Sequence, residues 1–437
     1  PVRRRVLTLA WPVVIEQLLN MSVGLVDTYI VGHLGAAPLA AVGLSMQALS
    51  LFWALFAAIG VGSTALVSRH VGAQEPDQAN AIARQSVLLA LFVGALGSGT
   101  LWAGAPLFLT WLGAEADVIA LGISYIRAVA STVFLFSVLW VGSAVLRGAG
   151  DTRTPMLLML VVNVVNIIVT YALVHGLGPL PRLGVLGSGI GAASARGIGG
   201  LVMLWLLMRG RGPIRIGFGI PRPDWSGIGR ILRIGLPTAG EQMLMRFGQV
   251  VLAAVITGLG TVAYAAHQVA INALSVAYMP GFGFALAATT LVGQELGAKR
   301  PDRAHQCAHE AVRLATLVMA VMGVLVSLFA SQVMGIFVND AAVIESGAPI
   351  LRIAGLVMPL LGVGFTFAGG LRGAGDTTAV LVVLGASIWC VRVAGAYLLS
   401  PSLGLIGIWI AIGLDFGVRS TLLALRFRSG KWKSIRV

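Results

Sequence analysis

A chain of 437 residues that is 57% hydrophobic and only 11% charged, with a mean hydropathy of +0.92, is not a water-soluble globule. Its net charge of +14 would suggest nucleic acid in a soluble protein, but the Lys and Arg residues sit between apolar runs, where they act as topology signals. We therefore expect a polytopic membrane protein in a lipid bilayer and no nucleic-acid partner. The two cysteines, Cys307 and Cys390, lie in different apolar segments without metal-ligand spacing, so neither a disulfide nor a metal is expected.

The first apolar run, Trp11 to Gly35, follows Arg3, Arg4 and Arg5. It is too long for a signal peptide and lacks a cleavage pattern, so it reads as a retained first helix. It carries two acids 11 residues apart, Glu16 and Asp27. At 100° per residue that spacing returns Asp27 to within roughly 20° of Glu16. Asn20 falls on the same face, and a polar stripe on a spanning helix faces protein or a cavity rather than lipid.

Further runs, broken by Gly, Pro and charge, predict about twelve spans in all. They lie at 6–31, 38–68, 80–105, 117–146, 154–175 and 187–209, then 230–257, 262–293, 305–331, 343–371, 376–399 and 404–427. The N-terminus, the even-numbered loops and the tail (Arg426, Arg428, Lys431, Lys433, Arg436) carry most of the 30 Lys and Arg residues. The odd-numbered loops carry only Arg182. By the positive-inside rule both termini are cytoplasmic, which requires an even number of spans.

The chain also repeats itself. Pro12, Glu16 and Gln17 return as Pro237, Glu241 and Gln242; VSRHVGAQEPDQA from Val67 returns as VGQELGAKRPDRA from Val292; LRGAGDT from Leu146 returns from Leu371. Every pair is separated by the same 225 residues. This predicts two six-helix lobes of common ancestry and parallel orientation, 1–208 and 230–437, joined by an Arg-, Gly- and Pro-rich cytoplasmic linker at 209–229.

These features, above all the doubled LRGAGDT, GQELGA after helix 8, and Pro12 followed fifteen residues later by Asp27, resemble the multidrug and toxic compound extrusion (MATE) family over essentially the whole chain. The resemblance implies an all-α, twelve-helix, V-shaped pair of lobes in the plasma (inner) membrane. It also implies a secondary active exporter of small amphipathic, often cationic compounds, driven by a proton or sodium gradient.

The repeat sorts the polar residues. Glu16 with Glu241, Arg127 with Arg352, Arg147 with Arg372, and Asp151 with Asp376 are symmetric, as residues serving the shared fold would be. Asp27 has no counterpart, since Leu252 stands in its place, and this asymmetry makes it the leading coupling acid. The resemblance puts the family's coupling Asp at the same position. Asn166, Thr170 and Arg196 are its candidate partners. By the resemblance, Thr170 stands where many relatives have Asp and Arg196 where Thr is common, which disfavours sodium and leaves proton coupling. A pairing of Arg196 with Asp27 would have to separate during the cycle.

Gln17, Asn20, Glu241, Met243, Arg246 and Asp415 are candidate cavity residues, although Asp415 and Arg419, one turn apart, also suit mutual neutralisation. The methionines Met21, Met46, Met243, Met245, Met279 and Met358 suit a promiscuous cavity and equally suit packing. Pro280, in YMPGFGF, is the hinge candidate, and His267 reads as structural. A lipid or lipid-linked oligosaccharide flippase is the alternative, on the strength of Arg196, Arg246 and Arg392. An enzyme is disfavoured by the lack of a His or Cys cluster or of a nucleophile with an evident base. No cofactor is expected, and a monomer is the simpler assembly.

Overall fold

The computed structural model describes residues 2–435 apart from 211, 218, 220 and 221, so Arg211 of the linker and Arg436 of the tail lie outside it. Apolar segments of this length become helices because hydrocarbon offers the backbone no hydrogen-bond partners except its own. The first half contains α1 (Val2–Gly32), α2 (Ala36–Gly72), α3 (Pro76–Trp111), α4 (Ala116–Ala130), α5 (Val133–Gly148), α6 (Arg153–His175) and α7 (Val185–Arg209). The second contains α8 (Trp225–Thr257), α9 (Thr261–Ala277), α10 (Met279–Gly297), α11 (Pro301–Leu328), α12 (Ala330–Phe337), α13 (Ala341–Gly373), α14 (Thr377–Ser387), a π-helical turn (Ile388–Val393) and α15 (Ala394–Arg428).

Eight helical runs are long and apolar enough to cross a membrane, and two bent pairs, α4 with α5 and α9 with α10, each add one. The run Thr377–Arg428, 52 residues long, breaks at Gly404 (φ 56°, ψ −135°) into two spans, and the more highly charged α8, 33 residues long, completes the twelve. The bends measure 53° and 46° and do not obey the repeat. The counterpart of α4–α5 is the unbroken α13, and that of α9–α10 is the unbroken α2.

The chain forms two compact units, Ile15–Leu236 and Pro1–Val14 with Pro237–Val437. Both changeovers fall inside helices, in α1 after Val14 and in α8 after Leu236, close to the repeated Pro12 and Pro237. In the unit containing Pro237–Val437, Val6 and Ala10 of α1 are buried with Phe284, Ala288, Leu291 and Ala311, and Arg5 pairs with Glu295 at 2.6 Å. The start of α1 is thus held by the second half of the chain.

The repeat is visible in the backbone. Gln74 (φ 61°) and Lys299 (φ 57°), 225 residues apart, are the non-glycine positions of positive φ among the described residues. They close α2 and α10 with the same pattern, Glu75 N–H to His70 C=O and Arg300 N–H to Glu295 C=O. A proline then opens α3 and α11, where its missing N–H costs no helical bond.

Candidate functional site

The arginine, both glycines and the aspartate of the doubled LRGAGDT motif have mechanical roles. Arg147, at the end of α5, pairs with Glu16 of α1 at 2.5 Å, and Arg372, at the end of α13, pairs with Glu241 of α8. Gly148 and Gly373 let a neighbouring helix approach: an added Cβ would lie 2.9 Å from the Thr64 carbonyl oxygen and 2.1 Å from that of Thr289. The hydroxyls of Thr64 and Thr289 donate to the carbonyls of Ala144 and Gly369, both at 2.9 Å, one turn before those glycines. Gly150 (φ 93°) and Gly375 (φ 87°) supply the left-handed residue that ends the helix, and Asp151 and Asp376 N–H close it onto Leu146 and Leu371. Asp151 then accepts from the backbone N–H and hydroxyl of Thr154 at 3.0 and 2.6 Å, while Asp376 accepts from Arg426 at 2.8 Å. The Glu–Arg pairs and the glycines therefore form one repeated fastening of two helices to a third, while the two aspartates take different partners and Arg127 lies apart, over Trp102.

Glu16 and Arg147 also line a small pocket with Gln17, Asn20, Ser143 and Met159. Two of the cavity residues read from the sequence, Gln17 and Asn20, thus meet the first of these ion pairs.

Asp27 lies on the same helix and is fully buried, as are Asn166 and Thr170 of α6. Asn166 Nδ2 donates to Asp27 Oδ1 at 3.2 Å and lies 3.3 Å from the Thr170 hydroxyl, its i+4 neighbour. Among the described residues, Asp27 Oδ2, Asn166 Oδ1 and the hydroxyl of the buried Tyr125 find no hydrogen-bond partner. Arg196 of α7 lies close enough for its charge to act on Asp27, but among the described residues it makes no ion pair with it. Its guanidinium instead rests over the Phe136 ring, 5.0 Å from the centroid. One helical turn earlier on α6, Asn163 accepts from the Ser22 hydroxyl at 2.6 Å and donates to the Leu19 carbonyl at 2.9 Å, fixing α6 against α1 beside the carboxylate.

In the other unit the candidate residues disperse. Glu241 is buried against Arg372, whereas Met243 and Arg246, on the same helix, are exposed. Asp415 pairs with Arg419, as their spacing suggested, but also with Arg392 across the helices, at 2.7 and 2.5 Å, and it accepts from the Ser387 hydroxyl. Arg392 sits in the π-helical turn, and all four residues are buried. Pro280 stands at the start of α10, at the 46° bend. His267 is buried with its ring edge-on to Trp409.

Tyr125, Asn163, Ser22 and Ser387 were not singled out from the sequence. Asn163 carried a signal, since it lies three residues before Asn166 on an otherwise apolar helix and so shares its face. Tyr125 and the two serines carried none, being polar types that also occur singly in apolar helices.

Twelve spans in two repeated sets, with buried acids such as Asp27 and Asp415 that have no counterpart in the other set, define a duplicated polytopic membrane protein. A family model described as MatE matches residues 12–172 and again 237–398, its two matches starting at Pro12 and Pro237. The chain belongs to the MatE family. It is 32% identical to the "Probable multidrug resistance protein NorM" of Thermotoga maritima, over 99% of this chain and 93% of that one. It is 28% identical to the "Multidrug resistance protein MdtK" of Yersinia pestis, over 97% and 95%. A solved structure of the outward-facing conformation of a multidrug resistance MATE family transporter shares the fold at a TM-score of 0.91 and 24% identity, covering 98% of this chain and 97% of that one.

Proposed function

We propose that this protein is a proton-coupled multidrug exporter of the inner membrane, with both termini cytoplasmic, in which Asp27 carries the proton. The observation that supports this reading is a fully buried carboxylate held by neutral side chains, Asn166 and the neighbouring Thr170, and in no ion pair among the described residues. A carboxylate in that condition takes up a proton without first breaking a salt bridge, and it releases the proton when rehydrated or approached by a cation. Arg196, within electrostatic reach, is such a cation, and its rest over Phe136 leaves it unbound to the acid. The multidrug names of the relatives support amphipathic compounds as cargo.

A sodium-coupled antiporter is the second reading, favoured by the unpartnered oxygens of Asp27, Asn166 and Tyr125. Against it stand the nearby Arg196 and the hydroxyl of Thr170 where a second carboxylate would bind the ion more strongly. The flippase alternative draws on Arg196, Arg246 and Arg392, of which Arg392 is already engaged by Asp415.

Efflux of a fluorescent lipophilic cation from proteoliposomes, with proton and sodium gradients imposed separately, tests the reading. Transport should follow the proton gradient and stop in Asp27→Asn. Transport driven by sodium alone moves the assignment to the second reading, and transport of no cation under either gradient favours the flippase.

A further inference from the structure

The buried polar cluster around Asp415 is not used by coupling at Asp27, and its charges do not balance. Two guanidiniums, Arg392 and Arg419, share one carboxylate. The other acid within electrostatic reach of Arg419 is Glu241, which Arg372 already holds. An excess positive charge therefore remains among groups that are at most 8% exposed, where an uncompensated charge is costly.

Hydrogen-bond donors are in excess at the same place. Trp409 Nε1 and Arg419 Nε, each on a residue 3% exposed, have no partner, nor does Nδ1 of His267, 5% exposed. An indole or guanidinium N–H can only donate, so the missing partners are acceptors. Trp409 and Phe416 line a small, mostly apolar pocket with Tyr278, Leu361 and Ile412, and the two arginines stand beside it rather than in its wall. Both guanidiniums lie over the Phe416 ring, at 5.0 and 5.2 Å, and the His267 ring meets that of Trp409 at 5.6 Å.

We propose that this small pocket binds a halide ion, with the neighbouring Arg392 and Arg419 supplying charge and Trp409 a hydrogen bond. Its apolar walls favour a weakly hydrated anion over phosphate or sulfate. One unit would then hold a buried acid for a cation and the other a buried cationic site for an anion.

The test is thermal unfolding of the purified full chain in detergent, at constant ionic strength, with gluconate replaced stepwise by chloride or by benzoate. A saturable rise in Tm with chloride and none with benzoate, which like gluconate is too large for the pocket, is the expected result, and a rise with benzoate alone overturns the proposal. Trp409→Phe keeps the aromatic packing, loses the N–H, and should raise the half-saturating concentration about tenfold. Asp415→Asn keeps the side-chain shape, adds one positive charge, and should lower it by a similar factor, the reverse of what loss of a purely structural clamp would do. A Tm that does not respond to either anion, a rise that never saturates, or a saturable rise unchanged in both variants overturns the proposal. The readout uses no gradient, so it fails or succeeds independently of Asp27.

Discussion

Glu16 and Arg147 form a buried ion pair at 2.5 Å, and 225 residues later the buried Glu241 repeats it with Arg372, which is partly exposed. Removing one partner of a buried pair leaves the other charge desolvated, which costs about 3–5 kcal/mol, whereas a pair with an exposed member is worth about 1 kcal/mol or less. Glu16→Gln and Glu241→Gln should therefore both lower Tm markedly in detergent. Glu295→Gln, whose partner Arg5 is 48% exposed, should lower it much less. Equal losses in all three would show that the burial of the Glu16 and Glu241 pairs adds nothing.

The glycines of the motif give a graded series. Gly373→Ala would put a Cβ 2.1 Å from a backbone oxygen, where nothing can yield without moving a helix, and overpacking of that kind costs about 1–3 kcal/mol. Gly148→Ala, at 2.9 Å, should cost less. Gly104→Ala, on α3 with nothing within 4 Å, should be neutral or slightly stabilising, by up to about 1 kcal/mol. Unfolding temperatures in that order are the expected result; a Gly104→Ala variant as damaged as Gly373→Ala would contradict it.

Ion choice should be convertible if Thr170 and Arg196 set it. Thr170→Asp combined with Arg196→Gln adds a carboxylate one turn from Asn166 and removes the neighbouring cation. Sodium-stimulated efflux, weak or missing in the parent, should then appear at least about tenfold above it, a difference worth about 1.4 kcal/mol of ion binding. Proteoliposomes with a sodium gradient and clamped pH read this directly. If the double variant transports as the parent does, these two residues do not select the ion.

Pro280 begins α10 at a 46° bend, and proline there removes a backbone donor that would otherwise straighten the joint. Pro280→Ala should leave substrate affinity unchanged and slow transport several-fold, as expected for a bending point rather than a contact residue. Reduced affinity at an unchanged maximal rate would place Pro280 in the binding surface instead.

How much of this could be read in advance depended on the kind of signal. The helices and the duplication were legible because hydrophobic length and a constant offset are properties of the string itself. So was the contrast between Asp27 and Leu252, a comparison within one chain. The pairing of Glu16 with Arg147 was not, although both had been marked as symmetric, because nothing local links residues 131 apart. Arg392 was seen as an intramembrane cation, but its partner lies on another helix and depends on the π-helical turn that aims it. Of the two bends, the one at Pro280 carried a chemical marker; the one between α4 and α5, at Ser131 and Thr132, carried none.

The changeover of α1 after Val14 and of α8 after Leu236 bears on how such a chain arose. If a gene for six helices was duplicated and fused, its ancestor had two copies that each lent the first turns of their leading helix to the other, a swapped dimer. Fusion made that exchange intramolecular and removed its dependence on concentration. A half cut at the linker would therefore lack a piece of its own body and keep one belonging to its neighbour. Two such halves expressed together have a reason to find each other that neither has when expressed alone.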